Sequence, residues 1–380
     1  MRRLSKSIAR LSAFRSKSSD AAAPRTGSLK ALSDFGTNPG NLKAWFHMPA
    51  RRREPQAMVV VLHGCTQNAH GYDEGSGWTQ LANELGFAVL YPEQTRSNNF
   101  NLCFNWYEPS NSRRGGGEPL SIVQMVEHMV QLYQLDPSRV FITGLSAGGA
   151  MTSVMLATYP EVFAGGAIVA GLPYGTASSI PQALERMRGH GGPSTAILAD
   201  AVLNASPGVA KRPTISLWHG TADHVVTPAN ADASLAQWQA VHGLLGPADT
   251  TDAVAGHERR TWRDADGAIM IEDYRISGMG HGTPLSATGP DACGKAGPHM
   301  LEAGISSTRR LADFWGLATA PARSGASAQP VIKGDRDIRL PWAEKAHAKH
   351  RANPVADRAP PAASVGKVIE DALRAAGLMR

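Results

Sequence analysis

Cysteine is scarce in this chain. Three residues, Cys65, Cys103 and Cys293, among 380 exclude a disulfide-built scaffold and a four-cysteine metal site. One bridge with a free thiol, or no bridge, both stay open. Charged residues are sparse too, at 18%, so the surface must rely on Ser, Thr, Asn and Gly. No run of 18 apolar residues occurs, so no transmembrane segment is expected. The N-terminus opens with Arg2 and Arg3, but Arg15 and Lys17 arrive before any apolar segment, which disfavours an ordinary secretory signal. His63, Cys65 and His70 lack the spacing of a zinc site, and no metal or other cofactor is expected. Gly115-Gly116-Gly117 is not a phosphate loop, because no Lys-Ser/Thr pair follows a strand.

What charge there is sits at the ends. Residues 1–20 and 321–380 each carry a net +5, while the segment between them carries −4, within a total of +6. These basic ends lack interleaved aromatics or a base-reading motif, so no nucleic-acid partner is expected. With 42% hydrophobic residues the chain can bury a full core, and its length suits one large catalytic domain with additions.

The pattern along that domain alternates. Apolar runs at Ala57–Leu62, Phe87–Pro92, Arg139–Thr143, Gly165–Gly171 and Pro213–His219 read as buried parallel strands. Helical segments are expected over Trp78–Leu85, Leu120–Leu135, Ala147–Thr158, Pro228–Val241 and Arg309–Leu317, and an edge strand near Trp45. Asp266-Gly267 marks a hairpin within Thr261–Gly278. Strands alternating with helices give an α/β fold with a mostly parallel sheet, in which sites form at the carboxyl ends of strands. Residues 1–40 are expected as a basic, flexible arm and 41–318 as the catalytic domain, with 173–212 an insertion able to cover the site. Residues 319–380 are expected as a basic Ala/Pro/Arg-rich extension carrying one short helix.

The strongest chemical signal is Gly144-Leu145-Ser146-Ala147-Gly148, set between an apolar strand and a helix. A sharp strand-to-helix turn needs glycine around the serine and lifts its hydroxyl out of the sheet. Serine is too weak a nucleophile near neutral pH without a base, and the base needs an orienting acid. The order nucleophile, acid, base selects Asp223, in His219-Gly220-Thr221-Ala222-Asp223, and His281, in Gly278-Met279-Gly280-His281-Gly282. His219 precedes the acid, His224 adjoins it and His257 has no strand before it, so each is set aside. The backbone N–H of Ala147, at a helix N-terminus, and that of Cys65, just past His63-Gly64, are the candidate oxyanion donors. His63 is read as a buried support residue. Trp106, Tyr107 and Trp218 are candidates to line an apolar acyl pocket.

His63-Gly64-Cys65-Thr66-Gln67-Asn68, Gly77-Trp78, Tyr91-Pro92-Glu93-Gln94, Cys103-Phe104-Asn105-Trp106, Gly117-Glu118, Ser121-Ile122, Arg139-Val140, Gly144 to Met151, Ala170 to Gly175 and His219 to Asp223 together resemble the poly(3-hydroxybutyrate) depolymerase family of esterases. The resemblance spans roughly residues 40–318. It implies an α/β-hydrolase fold and ester cleavage through an acyl-enzyme, with Ser146 as nucleophile, Asp223 as acid and His281 as base. The wider family is similar to feruloyl and acetylxylan esterases, the alternative reading. A catalytically dead hydrolase fold that binds granules is disfavoured by the complete set of three residues. Extracellular depolymerases of this type carry a signal peptide, more cysteines and a polymer-binding module. This chain departs on all three, so a cytoplasmic or storage-granule setting, with polyester or small esters as substrate, is the expectation, and secretion by another route stays open.

Overall fold

The run Met58–Leu62 is buried at every position, as a strand covered on both faces must be. Successive side chains in it point to opposite faces. Met58, Val60 and Leu62 enter one half of the core, and Val59 and Val61 the other. Val140 and Ile142 against Phe141 and Leu145 repeat the split. The computed structural model describes residues 29–50, 56–289 and 292–318.

The strands are β1 (Lys30–Ala31), β2 (Lys43–His47), β3 (Met58–Leu62), β4 (Ala88–Glu93), β5 (Val140–Leu145), β6 (Gly165–Val169), β7 (Thr214–Gly220), β8 (Thr250–Val254), β9 (His257–Arg263) and β10 (Ile269–Ile276). They form one sheet in the order β1-β2-β4-β3-β5-β6-β7-β10-β9-β8. From β4 to β10 every neighbouring pair is parallel. Antiparallel β1–β2 and β9–β8 extend the two sides. β11 (Thr283–Leu285) and β12 (Met300–Glu302) make a small separate parallel pair.

Helices α1 (Ala69–Ser76), α2 (Trp78–Leu85) and α8 (Ser307–Phe314) bound one face. There Trp315 stacks on Phe141 and on Trp78. Helices α3 (Gly117–Tyr133), α4 (Ala147–Thr158), α5 (Ile180–Met187), α6 (Thr195–Ala205) and α7 (Ala229–His242) lie on the other. Helix α4 is buried at all its positions, which explains its Ala- and Met-rich, uncharged sequence, in which the hydroxyls of Thr152, Ser153 and Thr158 donate to backbone carbonyls one turn back.

One expectation needs correction, and helix α1 and the β8–β9 turn were not read from the sequence. Residues 29–40 are not a loose arm: Leu29 and Leu32 are buried, and β1 pairs with β2. Helix α1 stood unread because Ala69 and Tyr72 are its only apolar side chains that face the core; Asn68 caps it by accepting from Gly71 N–H at 2.8 Å. The β8–β9 hairpin turns at Ala255-Gly256, both with positive φ, and Ala-Gly is a weaker turn signal than Asp-Gly. The arm over 1–28 and the extension over 319–380 lie outside the described residues. Among the described residues no helix is long and apolar enough to cross a membrane.

Candidate active site

Each chemical segment sits past the carboxyl end of a parallel strand. The 63–67 turn follows β3, the 94–116 loop follows β4, Ser146 follows β5, Asp223 follows β7 and His281 follows β10. β7 and β10 are parallel neighbours, in register through Gly220 and Ile276. Their exit loops are stitched by Thr221 N–H to Ile276 O (3.0 Å) and Ala222 N–H to Met279 O (3.0 Å). Residues 58 apart in sequence therefore meet.

Ser146 has φ 58° and ψ −117°, a strained conformation at the N-terminus of α4. Its N–H bonds Val169 O at 2.9 Å, which fastens the turn to the next strand. The glycines are required by close approach. A Cβ on Gly148 would lie 2.5 Å from His63 O and closer still to Leu62 O, and one on Gly144 would strike Gly148. Strand β3 thus packs directly against the turn and bars any side chain there.

Asp223 is buried and its two oxygens divide the work. Oδ1 accepts from Val225 and Val226 N–H, each at 2.9 Å, and Oδ2 accepts from His281 Nδ1 at 2.7 Å. His219, also buried, donates from Nε2 to Val226 O at 2.7 Å and lies 3.4 Å from Asp223 Oδ2. Burial alone would raise the Asp223 pKa. Hydrogen bonds from His219 and His281, with their positive charge when protonated, more than reverse it and hold the carboxyl well below the usual range. A neutral His281 ring with its proton on Nδ1 leaves Nε2 as the basic nitrogen. His299 Nδ1 donates to His281 O at 3.2 Å, and Thr283 N–H to His299 O at 2.8 Å, anchoring the His281 loop to the β11–β12 pair. Burial lowers the His299 pKa and so favours its neutral form.

Among the described residues none hydrogen-bonds Ser146 Oγ, and none accepts from the N–H groups of Cys65 or Ala147. These groups border a cavity of about 70 Å³ lined by Cys65, Ser146, Ala147, Trp106 and Tyr107. Its far wall is Ile180, Ala183, Leu184 and Met187, one face of α5, with Leu172 and Val226. Two larger hollows lie beside α8, away from Ser146. Their lining holds none of the segments above, so the smaller apolar cavity is the chemically relevant one.

Most of the sequence-selected residues converge here: Ser146, Ala147, Cys65, Trp106 and Tyr107 share the cavity, and Asp223 holds His281. Trp218 does not join them. It is fully buried, stacks on Tyr274 at 3.8 Å and donates from Nε1 to Ser216 Oγ at 2.8 Å. Its side chain points to the α8 face of the sheet, so it is a core residue. The sequence reading missed the α5 wall, although 180, 183, 184 and 187 carry helical spacing. It also left open the Cys65–Cys103 pair, which the structure joins, with Cα atoms 4.2 Å apart. Cys293 is free and buried. Among the described residues no group of three or more His, Cys, Asp or Glu gathers as a metal site would require.

Residues 43–263 match the family model described as Esterase PHB depolymerase. The chain is 44% identical over 291 residues to poly(3-hydroxyalkanoate) depolymerase C of Paucimonas lemoignei, covering 76% of this chain and 70% of that one. The chain belongs to the PHB depolymerase esterase family. It is also similar to feruloyl esterase B of Talaromyces funiculosus (31% over 270 residues, 69% of this chain and 75% of the other). Acetylxylan esterase A of Aspergillus oryzae is 34% identical over 271 residues (68% and 85%). Among solved structures, an acetyl xylan esterase from Aspergillus awamori superposes with TM-score 0.65 at 27% identity, over 77% of this chain and all of that one. The protein is thus a serine esterase with an α/β-hydrolase fold.

Proposed function

We propose that this esterase cleaves poly(3-hydroxybutyrate), its oligomers or related short hydroxyacyl esters through an acyl-enzyme on Ser146. The observation that carries the reading is the Ser146 turn opening into a small apolar cavity at the same end of the sheet as the Asp223–His281 pair, which sits on the loops after the neighbouring strands β7 and β10. His281 Nε2 takes the Ser146 proton as Oγ attacks the ester carbonyl. The N–H groups of Cys65 and Ala147 hold the oxyanion, and each such donor is worth about 10²–10³ in rate. The C–O bond breaks, and the alcohol leaves with the proton from His281. Water then attacks the acyl-enzyme with His281 again as base, and Ser146 regains its proton. Asp223 keeps the imidazole in the required tautomer.

The cavity is small beside the 300–1,000 Å³ of a drug-sized site. A short aliphatic acyl unit fits it better than a feruloyl ring. The 44% identity to a polyhydroxyalkanoate depolymerase, against 31% and 34% to the feruloyl and acetylxylan esterases, supports the same choice. Incubation with 3-hydroxybutyrate oligomers, feruloyl esters and acetylated xylan, with Ser146→Ala as control, tests it. The proposal expects hydroxybutyrate release by the parent alone and little product from the other two. Preferential feruloyl or acetyl release would favour the alternative.

Action at a granule surface belongs to the same proposal, supported by the net +5 of residues 321–380. The Cys65–Cys103 bridge weighs against a cytoplasmic setting, because disulfides persist in oxidising compartments. Cell fractionation with thiol counting decides between them.

A further inference from the structure

One buried carboxylate lies outside the chemistry above and yet is bonded to the loop that walls the cavity. Glu118, in the first turn of α3, is 1% exposed. Its Oε1 accepts from Gln94 Nε2 and from Asn105 Nδ2, each at 2.7 Å, and its Oε2 accepts from Asn105 N–H at 2.9 Å. All three donors are neutral amides, and among the described residues no cation pairs with it. A buried charge without a counter-ion is costly, and so are three buried amide donors left without an acceptor. What a carboxylate uniquely offers here is two acceptor oxygens facing three converging donors.

Each partner leads to the site. Asn105 immediately precedes Trp106 and Tyr107, which line the cavity, and its Oδ1 accepts from Asn99 Nδ2 at 2.8 Å. Asn99 Oδ1 in turn accepts from Asn101 N–H at 3.0 Å and Cys103 N–H at 3.3 Å. Gln94 also donates from Nε2 to Cys103 O at 3.0 Å, and its N–H donates to His63 Nε2 at 3.1 Å. His63 is therefore the neutral ring with its proton on Nδ1, which donates to Gly64 O at 2.7 Å. Burial lowers its pKa and keeps it so. The next residue is Cys65, bridged to Cys103, while Thr66 N–H bonds Asn101 O at 2.7 Å. Glu118 thus holds the 99–107 loop directly through Asn105 and reaches the 63–67 turn through Gln94 and the Cys65–Cys103 bridge.

We propose that Glu118 is a positioning residue that locks the 63–67 turn and the 99–107 loop into one wall, keeping the Cys65 N–H aimed at the developing oxyanion. This rests on the reading of Ser146 and Cys65 given above. Burial, only partly offset by the amide hydrogen bonds, pushes the Glu118 carboxyl up to about 7, in keeping with a cage built without a cation.

Glu118→Gln keeps the size but sets an amide nitrogen against one of the converging donors. With p-nitrophenyl butyrate, kcat per active site should fall about 10- to 100-fold while KM stays within threefold, the pattern of a displaced transition-state donor. Phosphorylation of Ser146 by paraoxon should slow in parallel yet still reach one per folded chain. A merely structural role would instead lower Tm and the number of labelled sites, with kcat per site within twofold of the parent, and that result overturns the proposal. If E118Q does not fold, Asn105→Ala removes the side-chain bond to Glu118 Oε1 together with the one from Asn99, leaves the backbone N–H bond to Oε2, and is read identically. Activity surviving in Ser146→Ala would overturn the underlying reading. An inactive Ser146→Ala beside an unchanged E118Q would overturn only the role of Glu118.

Discussion

Replacing Asp223 by asparagine isolates the orienting function from shape. The amide oxygen can keep the two 2.9 Å bonds from Val225 and Val226 N–H that now reach Oδ1. Its nitrogen then occupies the place of Oδ2, 2.7 Å from His281 Nδ1. Two donors cannot share that distance, so the imidazole moves its proton to Nε2 and accepts at Nδ1. Nε2 can then no longer take the serine proton. The expected loss is about 10⁴ in kcat, or about 5 kcal/mol at 1.36 kcal/mol per tenfold, with KM nearly unchanged. Stability changes with a definite sign. Folding lowers the Asp223 pKa, so its carboxylate stabilises the fold above the unfolded aspartate value of about 4 and loses that contribution as pH falls through the folded value. Asp223→Asn should therefore be less stable than the parent at pH 7, and the two melting curves should approach each other below about pH 4. Stopped-flow ester hydrolysis and pH-dependent thermal melts measure both. A folded variant within tenfold of parental kcat would refute the reasoning that the imidazole tautomer is set by this carboxylate.

Other perturbations reach the remaining parts. Gly148→Ala forces a Cβ into the carbonyls of Leu62 and His63, so activity should fall more than about 100-fold and Tm should drop, whereas Gly116→Ala, with open space around its Cβ, should do neither. Met187→Ala opens the α5 wall and should move the preferred p-nitrophenyl ester from butyryl toward longer acyl chains; an unchanged chain-length profile would remove α5 from the acyl pocket. Cys65→Ser/Cys103→Ser releases a 38-residue loop closure, worth about 4 kcal/mol at most in the chain-entropy model. It should lower Tm as dithiothreitol does to the parent, and an indifferent Tm would mean the bridge constrains little.

The sequence carried the elements whose signals are local. Continuous apolar runs mark β3 to β7 because both faces of a parallel strand are covered, and the Ser146 turn announces itself because only glycine survives the approach of β3. Asp223 and His281 were legible from their strand-end positions, although their contact arises only because β7 and β10 are neighbours in the sheet. The reading failed where identity depends on which face a side chain takes. Trp218 stands one residue from His219 at the end of β7, yet strand alternation turns it into the core. The Glu118 cage was equally hidden, since Gln94, Asn105 and Glu118 look like ordinary loop and helix-start polar residues until the fold aims their donors at one carboxylate. The α5 wall had helical spacing but lay in a segment whose packing partner the sequence does not name.

A structure of the enzyme inhibited by a short-chain alkylphosphonate tests the central claim most directly. The account expects the phosphorus bonded to Ser146 Oγ, with one phosphonyl oxygen about 2.7–3.1 Å from both the Cys65 and Ala147 nitrogens and the alkyl group against α5. A phosphonate bonded elsewhere, or its oxygen turned away from those two N–H groups, would contradict it.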